Sequence, residues 1–217
     1  MGCAALPAIA EGIHAFERAH GQSLGEYLRT CEEFRSRFQH VMNAGNAFLD
    51  KVPVRFDFSS ARTVVDVAGG AGDLLASVLR RYPGIRGVLF DLPHVLPNRE
   101  EHCRALWSAG VRIRRGRHVR VHSGPRDVYL LSRVLQDRPD EACLALLDNC
   151  RRAMRPDARL LIIDRIPSDD GAFDLALLWD LHLMLMVGGR QRTAAEYRQL
   201  LDAAVLVLID SCPRVPF

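Results

Sequence analysis

The stretch Asp66-Val67-Ala68-Gly69-Gly70-Ala71-Gly72 has the residue types most suited to holding a ligand. Small residues packed this densely let a chain turn sharply and bring bare backbone against a bound molecule. A second acid, Asp91, stands 25 residues after Asp66 and closes an apolar run, Gly87-Val88-Leu89-Phe90. A carboxylate at the end of a neighbouring strand reaches the two hydroxyls of a ribose. Two ligand classes offer that ribose, a dinucleotide and S-adenosylmethionine. Counted from Gly70, the dinucleotide fingerprint Gly-x-Gly-x-x-Gly needs a glycine where Leu75 stands. Asp66, at the strand end itself, repels a pyrophosphate and attracts an ammonium or sulfonium. Both details favour S-adenosylmethionine over the dehydrogenase alternative. A tight strand–helix turn with no ligand is the plain reading of the glycines alone, and the pairing with Asp91 weighs against it.

These residues need elements to hold them in place, and the chain offers a regular alternation. Thr63–Val67 is a β-branched run that reads as a strand, and Asp73–Tyr82 after it reads as a helix. Gly87–Asp91, Asp127–Leu131 and Arg159–Asp164 are further buried-strand candidates, the last two separated by a helical Asp140–Met154. Thr193-Ala-Ala-Glu196 is a capping box that opens a helix to Ala203, and Val205–Ile209 reads as a last strand. Strands alternating with helices imply an α/β fold, a parallel sheet with helices on both faces. Before it, Glu32–Leu49 reads as a helix with Phe34, Phe38, Val41, Met42 and Phe48 near one face. The expected division is a short helical segment over residues 1–60 and a ligand-binding Rossmann-like domain over 61–217.

Composition narrows the class. The 217 residues are 48% hydrophobic and 25% charged, which excludes disordered and fibrous chains and allows one sizeable core. Leu175–Val187 is the longest apolar stretch, but Asp180 and His182 interrupt it and it is too short to span a bilayer. No cationic start precedes an apolar core, so a cytoplasmic protein is expected. Met1-Gly2-Cys3 hints at lipidation, but Leu6 stands where a myristoylation site needs Ser or Thr. Six cysteines form no Cys-x-x-Cys pair, which argues for reduced thiols and against a metal site. The net charge of +3 implies no nucleic-acid partner by itself. Arginines crowd residues 112–126, which read as a solvated basic loop or, less simply, a phosphate-binding arm with no interleaved aromatic for base stacking. His94 and His182 read as structural histidines, and Cys143 and Cys150 as helix packing.

Four segments stand in order along the chain: Val64–Gly72, Phe90-Asp91-Leu92-Pro93-His94-Val95, Asp127–Leu135, and Gly188-Gly189-Arg190-Gln191-Arg192-Thr193. Together they resemble the S-adenosylmethionine-dependent small-molecule O-methyltransferases, the class of plant caffeate-type and bacterial antibiotic-tailoring enzymes. The likeness runs over about residues 15–97 and 127–210. It implies S-adenosyl-L-methionine as cofactor, held by Asp66, Gly69, Gly70 and Asp91, with Leu92 beside the adenine and Ser132 nearby. It also implies that Phe38 and Met42 wall the cofactor and acceptor, and that Met184 and Met186 line the acceptor. Core packing is the competing role for all four. The implied activity is methylation of a hydroxyl on a small aromatic or polyketide-like molecule in secondary metabolism.

Three departures stand out against the family pattern. Where the family has a histidine base followed by Asp and Trp, this chain has Gln136-Asp137-Arg138. Of the two acids that orient that histidine, one corresponds to Asp164 and the other to Gln191. Glutamine cannot act as a base, and general-base catalysis supplies about 10²–10⁴-fold. Alignment alone supplies up to about 7–11 kcal/mol, so an already acidic phenol stays within reach. An inactive cofactor- or partner-binding remnant is the alternative. The acidic turn that holds the adenine in the family has no counterpart between Val111 and Asp127. The resemblance also implies a homodimer built through a preceding helical domain, most of which this chain is expected to lack, so an uncovered apolar face around Ile9–Phe16 is expected.

Overall fold

The computed structural model describes residues 14–44, 46–93, 95, 111–116, 127–167 and 175–211. They divide into two compact units interleaved along the chain. One comprises Met1–Phe38, Arg133–Leu147 and Asp164–Cys212; the other comprises Gln39–Ser132, Asp148–Ile163 and Pro213–Phe217.

The second unit holds the sheet. Its strands are β1 (Thr63–Val67), β2 (Arg86–Asp91), β3 (Val111–Arg115), β4 (Val128–Ser132) and β5 (Arg159–Ile163). All pair in parallel in the order β3-β2-β1-β4-β5. The order reverses beside β1, where β2 and β3 run to one side and β4 and β5 to the other. In open α/β sheets that switch point, at the carboxyl ends of the strands, is where ligands bind. β1 is buried over Val64–Val67, as a central parallel strand must be. Asp73–Arg81 forms the helix that links β1 to β2. Its Leu74, Leu75, Val78 and Leu79 join Phe58, Val64, Leu89, Val111 and Leu130 in one apolar cluster. Each such side chain stabilises by roughly 1.5–3 kcal/mol through burial. Gly87 lets that helix sit close to β2: a Cβ there would fall 2.7 Å from Leu79 Cδ1. Asp50, in the 3₁₀ turn Ala47–Lys51, accepts from the Ser77 hydroxyl at 2.8 Å and ties that turn to the same helix.

The first unit is helical. Ala15–His20, Leu24–Thr30 and the start of Glu32–Ala44 gather Phe16, His20, Tyr27, Phe34 and Phe38 into a chain of ring contacts. Phe16 is buried at its centre, while residues 9–13 lie outside the described chain. The same unit contains a 3₁₀ turn (Leu135–Asp137), the first part of a helix over Asp140–Ala153, and helices Leu175–Met186 and Ala194–Ala203. Thr193 caps the last by the expected box, its hydroxyl accepting from the Glu196 amide at 3.2 Å. Ser23 and Glu26 form a second box at Leu24.

Several expectations are corrected. The helix from Glu32 stops at Ala44, and a 3₁₀ turn starts at Ala47, so Phe48 is not part of it. Val41 is 62% exposed rather than on the covered face. Val205–Ile209 is not a strand: it runs as coil with Val205, Val207 and Ile209 exposed. The arginine-rich segment opens with a strand, β3, in which Val111 is buried while Arg112 and Arg114 face solvent. Residues 117–126, the rest of the arginine-rich segment, and His94 lie outside the described residues. Cys31, Cys143 and Cys150 are free, the last two buried in the Asp140–Ala153 helix. No helix among the described residues is long and apolar enough to cross a membrane, and none of their side chains form a metal-binding cluster.

Candidate functional site

In the sheet unit, the chain leaving β1 makes a turn with left-handed residues at Ala68 (φ 57°), Gly70 (φ 57°) and Gly72 (φ 82°). The Ala68 N–H donates to the Phe90 carbonyl at 2.7 Å, which fastens the turn to the end of β2. Ala68 holds a conformation that costs a residue with a Cβ about 1–3 kcal/mol. Asp91, at the end of β2, faces this turn. Its Oδ2 accepts from the Gly70 N–H at 2.9 Å and its Oδ1 from the Leu92 N–H at 2.6 Å.

Gly69 and Gly70 have opposite surroundings. A Cβ on Gly70 would meet nothing within 4 Å, so the outer side of the turn is open. A Cβ on Gly69 would overlap the Asp66 carboxylate, which fills the space beneath. Asp66 is 1% exposed and neither of its oxygens makes a hydrogen bond. Burial, reinforced by the Asp91 charge, pushes its carboxyl up to about 7. The Leu75 amide in the next helix offsets part of this but stops short of a proper hydrogen bond. An orphaned, buried carboxyl under a glycine turn is a costly arrangement, of the kind found at functional sites. Ser132 ends β4 with its hydroxyl buried and unpartnered, and Leu92 is half-buried. On Glu32–Ala44, Phe38 and Met42 stand one turn apart and are half-buried.

The helical unit gathers the second set. Gln136 and Gln191 are 8% and 7% exposed, and the Gln191 Nε2 donates to the Gln136 Oε1 at 3.4 Å. The Gln136 Nε2 donates to the Asp137 Oδ1 at 3.4 Å. Asp137 is exposed overall, yet the protein around its carboxyl raises it to about 6. The Gln191 backbone N–H donates to Asp180 at 2.6 Å, which pins it to the Leu175–Met186 helix. The sequence thus brings Gln136, Asp137 and Gln191 together as expected. Asp164 is engaged elsewhere: its Oδ2 accepts from the Tyr197 hydroxyl at 2.6 Å. Its Oδ1 is buried without a partner, and burial pushes its carboxyl up to about 7. Met184 is 40% exposed and Met186 half-buried. His182 is exposed and packs edge-on against Trp179.

Sequence reasoning missed the group that fixes this cluster. Arg192 is 1% exposed, and its guanidinium donates to the Leu135 carbonyl at 2.7 Å and the Arg138 carbonyl at 2.8 Å. These carbonyls flank Gln136 and Asp137. Two further bonds, of 3.0 and 2.6 Å, run to Asp140 Oδ1, whose carboxyl is held below its usual range by this contact. Gly189 has no Cβ because one would strike the Gln136 carbonyl and Asp137 backbone.

Comparisons with known proteins identify the family. Residues 5–206 match the family model described as an O-methyltransferase domain. The chain is 38% identical over 208 residues to a 3-amino-4-hydroxybenzoate 4-O-methyltransferase of Streptomyces cremeus, covering 94% of this chain and 56% of that protein. It is 36% identical to a phenazine-1-carboxylate N-methyltransferase of Pseudomonas aeruginosa, covering 91% and 59%. The crystal structure of human N-acetylserotonin methyltransferase in complex with S-adenosylmethionine superposes with a TM-score of 0.76 at 25% identity, covering 92% of this chain and 59% of that one. The chain therefore spans less than two thirds of the length of these relatives. The parallel sheet, the Asp91-clamped turn after β1 and the family match over residues 5–206 place this chain in the O-methyltransferase family.

Proposed function

We propose that this chain binds S-adenosylmethionine over the turn Ala68–Gly72 and transfers its methyl group to a small aromatic or polyketide-like acceptor, a hydroxyl in the first instance. The observation that supports this most directly is Asp91. Both its oxygens are oriented by backbone N–H groups, beside a Gly70 whose outer side is open. That arrangement fits a ribose diol, and a pyrophosphate would meet the Asp91 carboxylate instead of a helix N-terminus free of acids. The human relative's bound cofactor and the family match favour the same ligand.

When bound, the cofactor supplies a methyl group on a positively charged sulfur. The chain's own residues bind and orient. Asp91 takes the ribose hydroxyls, Gly69 and Gly70 give the backbone close approach, and the buried Asp66 carboxyl fills the space beneath Gly69. Leu92 and Ser132 flank the cofactor. We assign acceptor handling to Gln136, Asp137 and Gln191, while Asp164 is held by the Tyr197 hydroxyl. The amide pair Gln136–Gln191 has no proton affinity, which also favours a second reading: a cofactor-binding protein that has lost turnover.

Calorimetric titration of the full chain with S-adenosylhomocysteine tests the reading. Micromolar binding is expected, weakened at least 10-fold by Asp91→Ala. Tighter binding of NAD than of S-adenosylhomocysteine would overturn it. Turnover of no acceptor at all, with binding intact, would favour the second reading.

A further inference from the structure

Resting on the acceptor assignment made above for Gln136, Asp137 and Gln191, we propose that the His14 imidazole takes the proton from an acceptor hydroxyl held at that cluster. A single turn, Gly188-Gly189-Arg190-Gln191, joins the two. A Cβ on Gly188 would strike Cε1 of the His14 ring, with Nε2 and Nδ1 the next atoms it met. The tip of the ring, which carries both nitrogens, therefore reaches this turn. A Cβ on Gly189 would strike the Gln136 carbonyl and the Asp137 backbone. The Arg190 N–H donates to that same carbonyl at 2.9 Å, and the Gln191 Nε2 donates to the Gln136 Oε1 at 3.4 Å. Because Gly188 and Gly189 are chain neighbours, the ring tip and the Gln136 carbonyl are at most about 11 Å apart. That separation is of the order of one substituted aromatic ring.

Packed elements of the helical unit carry the imidazole to this place. His14 precedes the Ala15–His20 helix, and its carbonyl accepts from the Arg18 N–H at 3.0 Å. That helix buries Phe16 and packs against Leu175–Met186, the helix that leads into Gly188. The ring is half-buried, and its nitrogens form no hydrogen bond among the described residues. The neighbouring carboxylates are more engaged. One Asp137 oxygen takes the Gln136 amide, and Asp140 accepts from Arg190 and Arg192. An unengaged imidazole is the side chain best suited to taking and returning a proton near neutral pH. In the step proposed, the acceptor O–H bond breaks with its electron pair left on oxygen, and the proton passes to a ring nitrogen of His14. The oxygen pair forms the bond to the methyl carbon while the carbon–sulfur electrons stay with sulfur. The imidazolium then gives its proton to water. Gln136 and Gln191, with donors and acceptors at fixed positions, hold the acceptor meanwhile.

The full chain and its His14→Gln, His14→Ala and Asp137→Asn variants are first titrated with S-adenosylhomocysteine. Each is then given S-adenosylmethionine at pH 8 with 4-methoxyphenol, which is still protonated there, or with 4-nitrophenol, which is already an anion. His14→Gln is expected to slow methylation of 4-methoxyphenol about 100-fold and of 4-nitrophenol less than about 5-fold. Added imidazole is expected to restore 4-methoxyphenol turnover to His14→Ala. A second readout needs no turnover: bound beside S-adenosylhomocysteine at pH 6, 4-nitrophenol is expected to be the yellow anion in the parent and the colourless phenol in His14→Gln. An equal fall on both phenols in His14→Gln, or no fall, would overturn the inference. So would a selective loss in Asp137→Asn in place of His14→Gln, or cofactor binding with neither phenol turned over. Loss of S-adenosylhomocysteine binding in both His14 variants would make the ring structural and overturn it too. Failure of the parent chain to bind S-adenosylhomocysteine would overturn the proposed function itself, and this inference with it.

Discussion

Replacing Arg192 with methionine removes a group that the structure uses as a four-point clamp. The guanidinium is buried and makes bonds of 2.7 and 2.8 Å to the carbonyls of Leu135 and Arg138, and of 3.0 and 2.6 Å to Asp140. The costs differ among them. The Leu135 carbonyl retains the Arg138 N–H at 3.2 Å and the Cys143 thiol at 3.3 Å, so it loses little. Among the described residues the Arg138 carbonyl then keeps just the Cys143 thiol at 3.6 Å, and an underserved, partly buried acceptor costs about 1–3 kcal/mol. Asp140 has a side chain 48% exposed, rehydrates at one oxygen and keeps Arg190 at 3.0 Å on the other, so its share is about 1 kcal/mol. The sum is about 3 kcal/mol, which for a chain of this size lowers the melting temperature by roughly 6–12 °C. The Gln136–Asp137 turn loses its anchor as well, so turnover of any accepted substrate is expected to fall about 100-fold. Asp140→Asn is the control, expected to cost about 1 kcal/mol or less because water and the amide oxygen replace the carboxylate. Thermal unfolding followed by far-ultraviolet circular dichroism reads both. An Arg192→Met variant melting within 2 °C of the parent, or an equal fall for Asp140→Asn, would refute the reasoning.

Two further outcomes follow from buried groups. Asp66 is raised from about 4 in an unfolded chain to about 7 in the folded one, so its contribution to stability is fully present below about pH 4 and is lost as pH rises through about 7. Asp164 is raised to a similar value, so Asp66→Asn is expected to remove part of the decline in urea-unfolding free energy between pH 5 and pH 8. An unchanged decline in that variant would contradict the burial of Asp66 under Gly69. Gly188 has φ 69°, and a Cβ there would strike the His14 ring. Gly188→Ala is therefore expected to lower the melting temperature by several degrees, from about 1–2 kcal/mol of backbone strain and the displaced ring. A melting temperature equal to the parent's would show that the ring moves aside freely.

What could be read from the chain in advance was whatever local chemistry determines. Thr63–Val67 is β-branched and ends in glycines, so strand, turn and helix follow from propensity and small size. Thr193 and Glu196 form a cap whose partners lie within one turn. Asp91 was legible because its spacing from Asp66 places it on the next parallel strand. The failures are tertiary. Val205–Ile209 has strand-forming residues, but a strand exists only when a neighbour takes its hydrogen bonds, and none does so among the described residues. β3 hid behind its arginines, because a sheet-edge strand needs only Val111 and Ile113 to face inward. Arg192 looked like one more basic residue of Gly-Gly-Arg-Gln-Arg-Thr. Its burial depends on carbonyls more than fifty positions earlier, which no local pattern reveals.

The adjacent glycines at 69 and 70 lack side chains for unrelated reasons, and this separates folding from binding at single-residue resolution. A methyl group at position 69 collides with the protein's own carboxylate, so such a change is felt by the apo chain. At position 70 none of the described residues stands in the way, and beyond the modest backbone penalty the loss falls on whatever molecule lies against the turn. Mutational drift at the second position can thus silence the crevice in a chain that still expresses and folds, whereas drift at its neighbour is purged along with the fold.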